Sequence, residues 1–118
     1  SEIFAHPQMD VTKEFIASSL KINIPVEYLE RLSSKKETDK KPLLKLEFTG
    51  QSADDPVLSE VSRLFQLDNN IIYAQIEYAG GVKFGAMVIE VSGTEENHQK
   101  AIEFYSKKQI RVEVLGYV

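Results

Sequence analysis

The stretch LDNNIIYAQIEYAGGVKFGAMVIEV, residues 67–91, decides the fold. Apolar and polar residues alternate on both sides of Gly80-Gly81, the period of two that a half-buried strand requires. A glycine pair at the centre suits a two-residue primed turn, in which both central residues take positive φ. The turn fixes the register. It pairs Tyr78 with Lys83, Ile76 with Gly85, Ala74 with Met87 and Ile72 with Ile89 on one face, and this mainly apolar face is expected to lie under helices. On the other face Glu77 meets Phe84, Gln75 meets Ala86, Tyr73 meets Val88 and Ile71 meets Glu90. A sheet face left to water is largely polar, whereas this one carries Ile71, Tyr73, Val82, Phe84 and Val88. Two covers are open: a second copy of the chain, or residues 1–32. Asn69 and Asn70 stand at the head of the first strand, where asparagine is a poor strand residue. They read either as the end of a turn or as a ligand contact, because an Asn side chain offers both a donor and an acceptor.

Working outward, LLKLEFT (43–49) alternates as a half-buried strand. Asp55 is the expected N-cap of a helix with Pro56 at its first position, and Val57, Leu58, Val61, Leu64 and Phe65 follow at helical spacing. Beyond the hairpin, Thr94 caps a second helix whose first turn carries Glu95 and Glu96, favourable to the helix dipole. His98, Ala101, Ile102 and Tyr105 share one face of it. The closing QIRVEVLGYV (109–118) alternates Ile110, Val112 and Val114 against Arg111, Glu113 and Leu115. The order strand, helix, hairpin, helix, strand is the ferredoxin-like split βαβ pattern, an α+β fold. It predicts one four-stranded antiparallel sheet with both helices on one face. The polar run SSKKETDKKP (33–42) cannot bury apolar surface and separates this domain, residues 42–118, from residues 1–41. That first part offers two short helices, one capped by Asp10 or Thr12 over residues 11–20 and one opened by Pro25. It has too few apolar residues for a core of its own.

A chain of 118 residues with 42% hydrophobic and 27% charged residues and formal charge −4 reads as an ordinary globular domain. The acidic balance argues against nucleic acid, which favours a basic face. There is no cysteine, hence neither a disulfide frame nor a thiolate metal site. No apolar run reaches the roughly 18 residues of a membrane span. The chain opens at Ser1 rather than Met, as expected of a piece of a longer protein. Catalytic signatures are absent. His6 and His98 lie far apart, each without metal-ligand spacing. Asp54-Asp55 and Glu95-Glu96 are explained by helix ends. There is no nucleophile elbow, no GxGxxG and no GK[ST] phosphate loop.

LLKLEFTGQSADDPVLSEVSRLF (43–65), NNIIYAQIEYAGGVKFGAMVIEVSG (69–93) and VEVLGYV (112–118) closely resemble the NIL domain. This is the C-terminal, ACT-like regulatory domain of the ATP-binding subunit of bacterial methionine ABC importers. IFAHPQMDVTKEFIASSL (3–20) looks like the stretch that joins it to the ATPase domain. The Asn-Ile-Leu tripeptide that names the family falls at Asn70-Ile71-Ile72, with isoleucine in the last place.

The resemblance implies that cytoplasmic L-methionine binds near a homodimer interface and shuts down further import, called transinhibition. It implies a membrane-spanning permease partner, a peripheral place on the cytoplasmic side of the inner membrane, and no catalysis by this fragment. ATP and Mg²⁺ belong to the ATPase domain, and no cofactor is expected here. The family's methionine-contacting asparagine matches Asn70. Asn69, Ile71, Ile72, Tyr73 and the loop residues Gly50, Gln51, Asp55 and Pro56 are pocket candidates by proximity. Ile71, Tyr73, Val82, Phe84 and Val88 are the candidate dimer surface. Selectivity would come from an apolar slot, since a thioether is only a weak acceptor. Met87 is a candidate for lining the slot or for core packing. Two other readings stand beside this one: a purely structural dimerisation module, and an RNA binder stacking bases on Tyr73 and Phe84.

Overall fold

The computed structural model describes residues 22–50 and 56–118. The helix expected over residues 11–20, His6, Gln51, Asp54 and Asp55 lie outside them. The described elements run α1 (Val26–Arg31), β1 (Pro42–Thr49), α2 (Val57–Phe65), β2 (Asn69–Ala79), β3 (Val82–Val91), α3 (Glu95–Lys107) and β4 (Arg111–Tyr117). The four strands form one antiparallel sheet in the order β2-β3-β1-β4. With β1 beside both β3 and β4, this is the ferredoxin-like arrangement expected from the alternation.

Local chemistry accounts for the element ends. Pro25, with φ preset near its helical value, precedes the exposed α1, which carries Glu27 in its first turn and Arg31 in its last. Helix α2 begins at Val57 with Pro56 as its cap residue, one position later than the spacing suggested, and it has no side-chain cap. It ends on Gln66 in the left-handed conformation. In α3 the Thr94 hydroxyl accepts from the Asn97 N–H at 3.2 Å, as its position predicts. Gly80 and Gly81 have φ of 57° and 80°, the pair of positive values a primed turn needs.

One core joins the sheet to α2 and α3. Leu44, Leu46, Phe48, Ile89 and Val91 point from the sheet into Val57, Val61, Ala101 and Tyr105 of the helices. Phe65 and Phe104 close the helix pair edge to face, centroids 5.8 Å apart. Met87 packs against this core from its margin.

Three expectations change. First, the hairpin register holds from Tyr73 to Val88, then a β-bulge intervenes: Ile71, not Ile72, stands opposite Ile89, and Asn70, not Ile71, stands opposite Glu90. The extra residue on β2 moves Asn70 and Ile71 to the faces opposite those expected. Second, the helix-side face of the hairpin is only partly covered. Ile76 is 48% and Tyr78 70% exposed. Eleven strand residues span about 36 Å, whereas the nine residues of α2 span only about 14 Å, so the hairpin outruns its cover. Third, the cover of the opposite face, open between a second copy and residues 1–32, includes Ile22 of the latter. Phe84 and Val88 are buried, at 5% and 0% exposure, and Ile22 packs on Phe84 and Ala86. The segment before α1 thus contributes to this cover.

Residues 33–41 are tied to the last strand. Ser33 and Tyr117 exchange both backbone hydrogen bonds, at 2.9 and 2.8 Å, and Lys41 and Val118 do the same at 2.7 and 2.8 Å. Lys36 pairs with Glu95 at the start of α3.

Candidate functional site

The two asparagines at the head of β2 face opposite ways, because successive strand residues do. Asn69 turns toward α2. Its Nδ2 donates to the Leu58 carbonyl at 3.2 Å and to the Ser62 hydroxyl at 2.9 Å. Its Oδ1 is buried without a hydrogen-bond partner. Asn69 is therefore a strap between strand and helix. Asn70 turns to the outer face, is exposed, and donates from Nδ2 to Glu90 Oε1 at 3.2 Å. The donation leaves the Asn70 carbonyl oxygen and the second Glu90 oxygen as further acceptors.

A polar row continues down the outer face of β2. The Tyr73 hydroxyl donates to Gln75 Oε1 at 2.7 Å, and Gln75 Nε2 donates to Glu77 Oε2 at 2.7 Å. Across the same face, Lys45 reaches Glu113 at 3.2 Å, while Arg111 lies 3.7 Å from Glu47. The outer face thus carries a buried centre, Phe84, Ala86 and Val88, between two polar flanks.

The structure brings some of the sequence candidates together and separates others. Asn70 and Tyr73 share the outer face. Ile72 sits in the bulge, and Ile71 is 52% exposed on the helix side. Gly50, in a left-handed conformation with φ of 70°, and exposed Pro56 lie past Thr49, which pairs with Phe84. Asn70 pairs at Glu90, six residues along β3 from Phe84, so Gly50 lies about 20 Å from Asn70 along the sheet. Pro56 stands nearer to the asparagines, two residues before Leu58, whose carbonyl accepts from Asn69. Val82 is 44% exposed near the hairpin tip. Glu90 was missed from the sequence, because the alternation placed it opposite an isoleucine. An acidic residue directly after the apolar run Phe84–Ile89 was the available signal.

His98 is half-buried and hydrogen-bonded to the Ser92 backbone, and burial holds its pKa below the ordinary value. Among the described residues no group of three His, Asp or Glu is placed to hold a metal ion. Nor is any described helix long and apolar enough to cross a membrane.

A βαββαβ domain with an exposed amide–carboxylate pair at the head of an edge strand is the class defined by fold and site. Residues 42–114 match the model of the NIL domain, and the chain belongs to that family. It is 52% identical over all 118 residues to the methionine import ATP-binding proteins of Salmonella typhimurium (strain LT2) and Escherichia coli (strain K12). The chain spans 34% of the length of each of these relatives. A crystal structure of the C-terminal domain of an ABC transporter ATP-binding protein from Enterococcus faecalis is similar as well. It superposes with a TM-score of 0.63 at 26% identity, covering 80% of this chain and 98% of that one.

Proposed function

We propose that this chain is the amino-acid-sensing domain of a methionine ABC importer's ATP-binding subunit, and that L-methionine binding to it inhibits further import. The observation that carries the reading is the Asn70–Glu90 pair. Its two free acceptor oxygens suit the ammonium group of a free amino acid, with the Glu90 carboxylate supplying the opposite charge. Methionine changes transport only by binding more tightly to one arrangement of the regulatory domains than to another, and a coupling of about 1–3 kcal/mol gives 5- to 150-fold effects. ATP hydrolysis, its Mg²⁺, the permease contact and the place on the cytoplasmic face of the inner membrane belong, in this reading, to the longer subunit. The fragment itself is proposed to be non-catalytic.

A second reading, a structural pairing module without ligand, is favoured by one observation. The edge strand β2 has no strand beyond it among the described residues, and Ile76 and Tyr78 stay exposed along it. In the first reading two copies also pair, with methionine near their interface.

Isothermal titration calorimetry with L-methionine separates the two. The wild-type chain is expected to bind. Asn70→Ala and Glu90→Gln are each expected to weaken binding by about tenfold or more, because a hydrogen bond to a charged group contributes about 1.5–3 kcal/mol. Both should unfold at the wild-type denaturant midpoint, since the pair they break is solvent-exposed. No heat with methionine up to millimolar concentration, from a chain that light scattering finds dimeric, would leave the structural module standing.

A further inference from the structure

A cavity of about 450 Å³ opens on the helix side of the sheet at its β4 edge. Asn70 is on the outer face at the β2 edge, so the two places share no residue. The cavity has three walls. Leu44 and Val114 form the sheet wall and Ile102 the α3 wall. The third is the turn Lys36–Lys40, closed by the Lys40 N–H donating to the Glu37 carbonyl at 3.1 Å. The volume falls within the roughly 300–1,000 Å³ of small-molecule sites.

The lining selects among ligands. It carries two cations, Lys36 and Lys40, and two anions, Glu37 and Glu95. His98 also lines it, with its pKa lowered first by burial. Lys36 and Glu95 satisfy each other. Glu37 and Lys40 make no side-chain ion pair among the described residues, and they stand at the two ends of one turn beside the apolar floor. Such a balanced rim gives no excess attraction to a polyanion. What fits one charge of each sign over Leu44, Ile102 and Val114 is a zwitterion with an apolar substituent.

We propose that this cavity is a binding site for a free amino acid with an apolar side chain, distinct from the Asn70–Glu90 site. The ammonium meets Glu37, the carboxylate meets Lys40, and the side chain lies on Leu44, Ile102 and Val114. Because one wall is the segment joining α1 to β1, occupancy clamps that segment against α3. The site therefore links ligand to the part of the chain that precedes the domain.

The test is a ¹H–¹⁵N NMR titration of the 118-residue chain with L-leucine, L-methionine, glycine and N-acetyl-L-leucine. The amides of residues 36–40 and 93–98 are expected to shift saturably with L-leucine and L-methionine. Glycine, which lacks the apolar group, and N-acetyl-L-leucine, which lacks the ammonium, are each expected to bind about tenfold more weakly or worse. Lys40→Glu, a surface change that spares the core, should weaken L-leucine by about tenfold. Ile102→Trp should fill the cavity and abolish the shifts. Asn70→Ala should leave them intact while removing any methionine response along β2. The proposal is overturned if L-leucine at millimolar concentration moves none of these amides, if glycine matches it, or if Asn70→Ala abolishes the response, since the shifts would then be relayed from the other site.

Discussion

Asn69 gives the sharpest test of how strand and helix are joined. Replacing it by alanine removes two hydrogen bonds to α2, at 3.2 and 2.9 Å. At about 1 kcal/mol each, that is a loss of about 2 kcal/mol. The same change removes the buried, unpartnered Oδ1, whose burial costs about 1–3 kcal/mol. The two effects nearly cancel, so Asn69→Ala is expected within about 1 kcal/mol of wild type. Asn69→Asp has no such relief: both Nδ2 hydrogen bonds are lost, the buried Oδ1 stays, a second oxygen replaces Nδ2, and a charge is placed against the Leu58 carbonyl. Lost bonds and desolvation together cost about 3–5 kcal/mol at neutral pH. Burial holds the new carboxyl's folded pKa above its unfolded value of about 3.9. Its neutral form therefore favours the folded state, and the deficit grows as pH rises through the folded pKa and shrinks toward pH 4. Urea unfolding followed by circular dichroism, at pH 7 and pH 4.5, reads both variants. A loss above about 2 kcal/mol for Asn69→Ala would mean that Oδ1 is bonded. An Asn69→Asp variant as stable as Asn69→Ala at pH 7 would mean that the amide does not face the helix.

Three further outcomes are expected. Tyr105→Phe should stabilise the domain by about 1 kcal/mol, because the hydroxyl is buried without a partner; differential scanning calorimetry should find Tm raised by several degrees, and a lowered Tm would refute it. Gly85→Ala should destabilise by about 2 kcal/mol, since a Cβ there would stand 2.6 Å from the Gln75 carbonyl oxygen, a backbone atom of the neighbouring strand, and 2.8 Å from the Phe48 ring. Denaturant titration checks this, and a neutral variant would show that β2 yields. His98 has a folded pKa below its usual 6.5, caused first by burial and opposed by the Ser92 hydrogen bond and by Glu95, with Lys36 adding to the lowering. Its contribution is complete above pH 6.5 and lost as pH falls from there toward the folded pKa. Wild type should therefore lose Tm between pH 7.5 and 5.5, and His98→Gln should lose less; parallel curves would remove His98 as the cause.

The elements that sequence reveals best are those where one residue has one physical job. Gly80-Gly81 is a primed turn because both residues need positive φ, and Thr94 caps α3 because its hydroxyl reaches the Asn97 N–H. Alternation in residues 43–49 and 111–114 leaves little choice of face. The bulge was invisible for an equally physical reason. Ile71 and Ile72 are both apolar, so no polar residue marks which of them occupies the helix side. That ambiguity misplaced Asn70 and hid its pairing with Glu90. That Phe84 would be covered was legible, but not by which of the two covers, because Ile22 lies far away in sequence and outside any strong pattern. The separation of Gly50 from Asn70 follows from which ends of β1 and β2 lie together. Sequence proximity to a helix does not state this.

The bulge also interrupts the far margin of β2. On an edge strand the outward N–H and C=O groups form a row that another strand can read, provided the spacing stays regular. At Ile71–Ile72 the spacing breaks. The row is cut into a short run at Asn69–Asn70 and a seven-residue run from Tyr73 to Ala79. A strand added there finds continuous partners only in the second run. If two such margins met antiparallel about a two-fold axis, the axis would fall at Ile76, midway along that run. The irregularity would thus act as an end-stop: it limits how far one sheet can slide along another and keeps Asn70 beyond the paired zone.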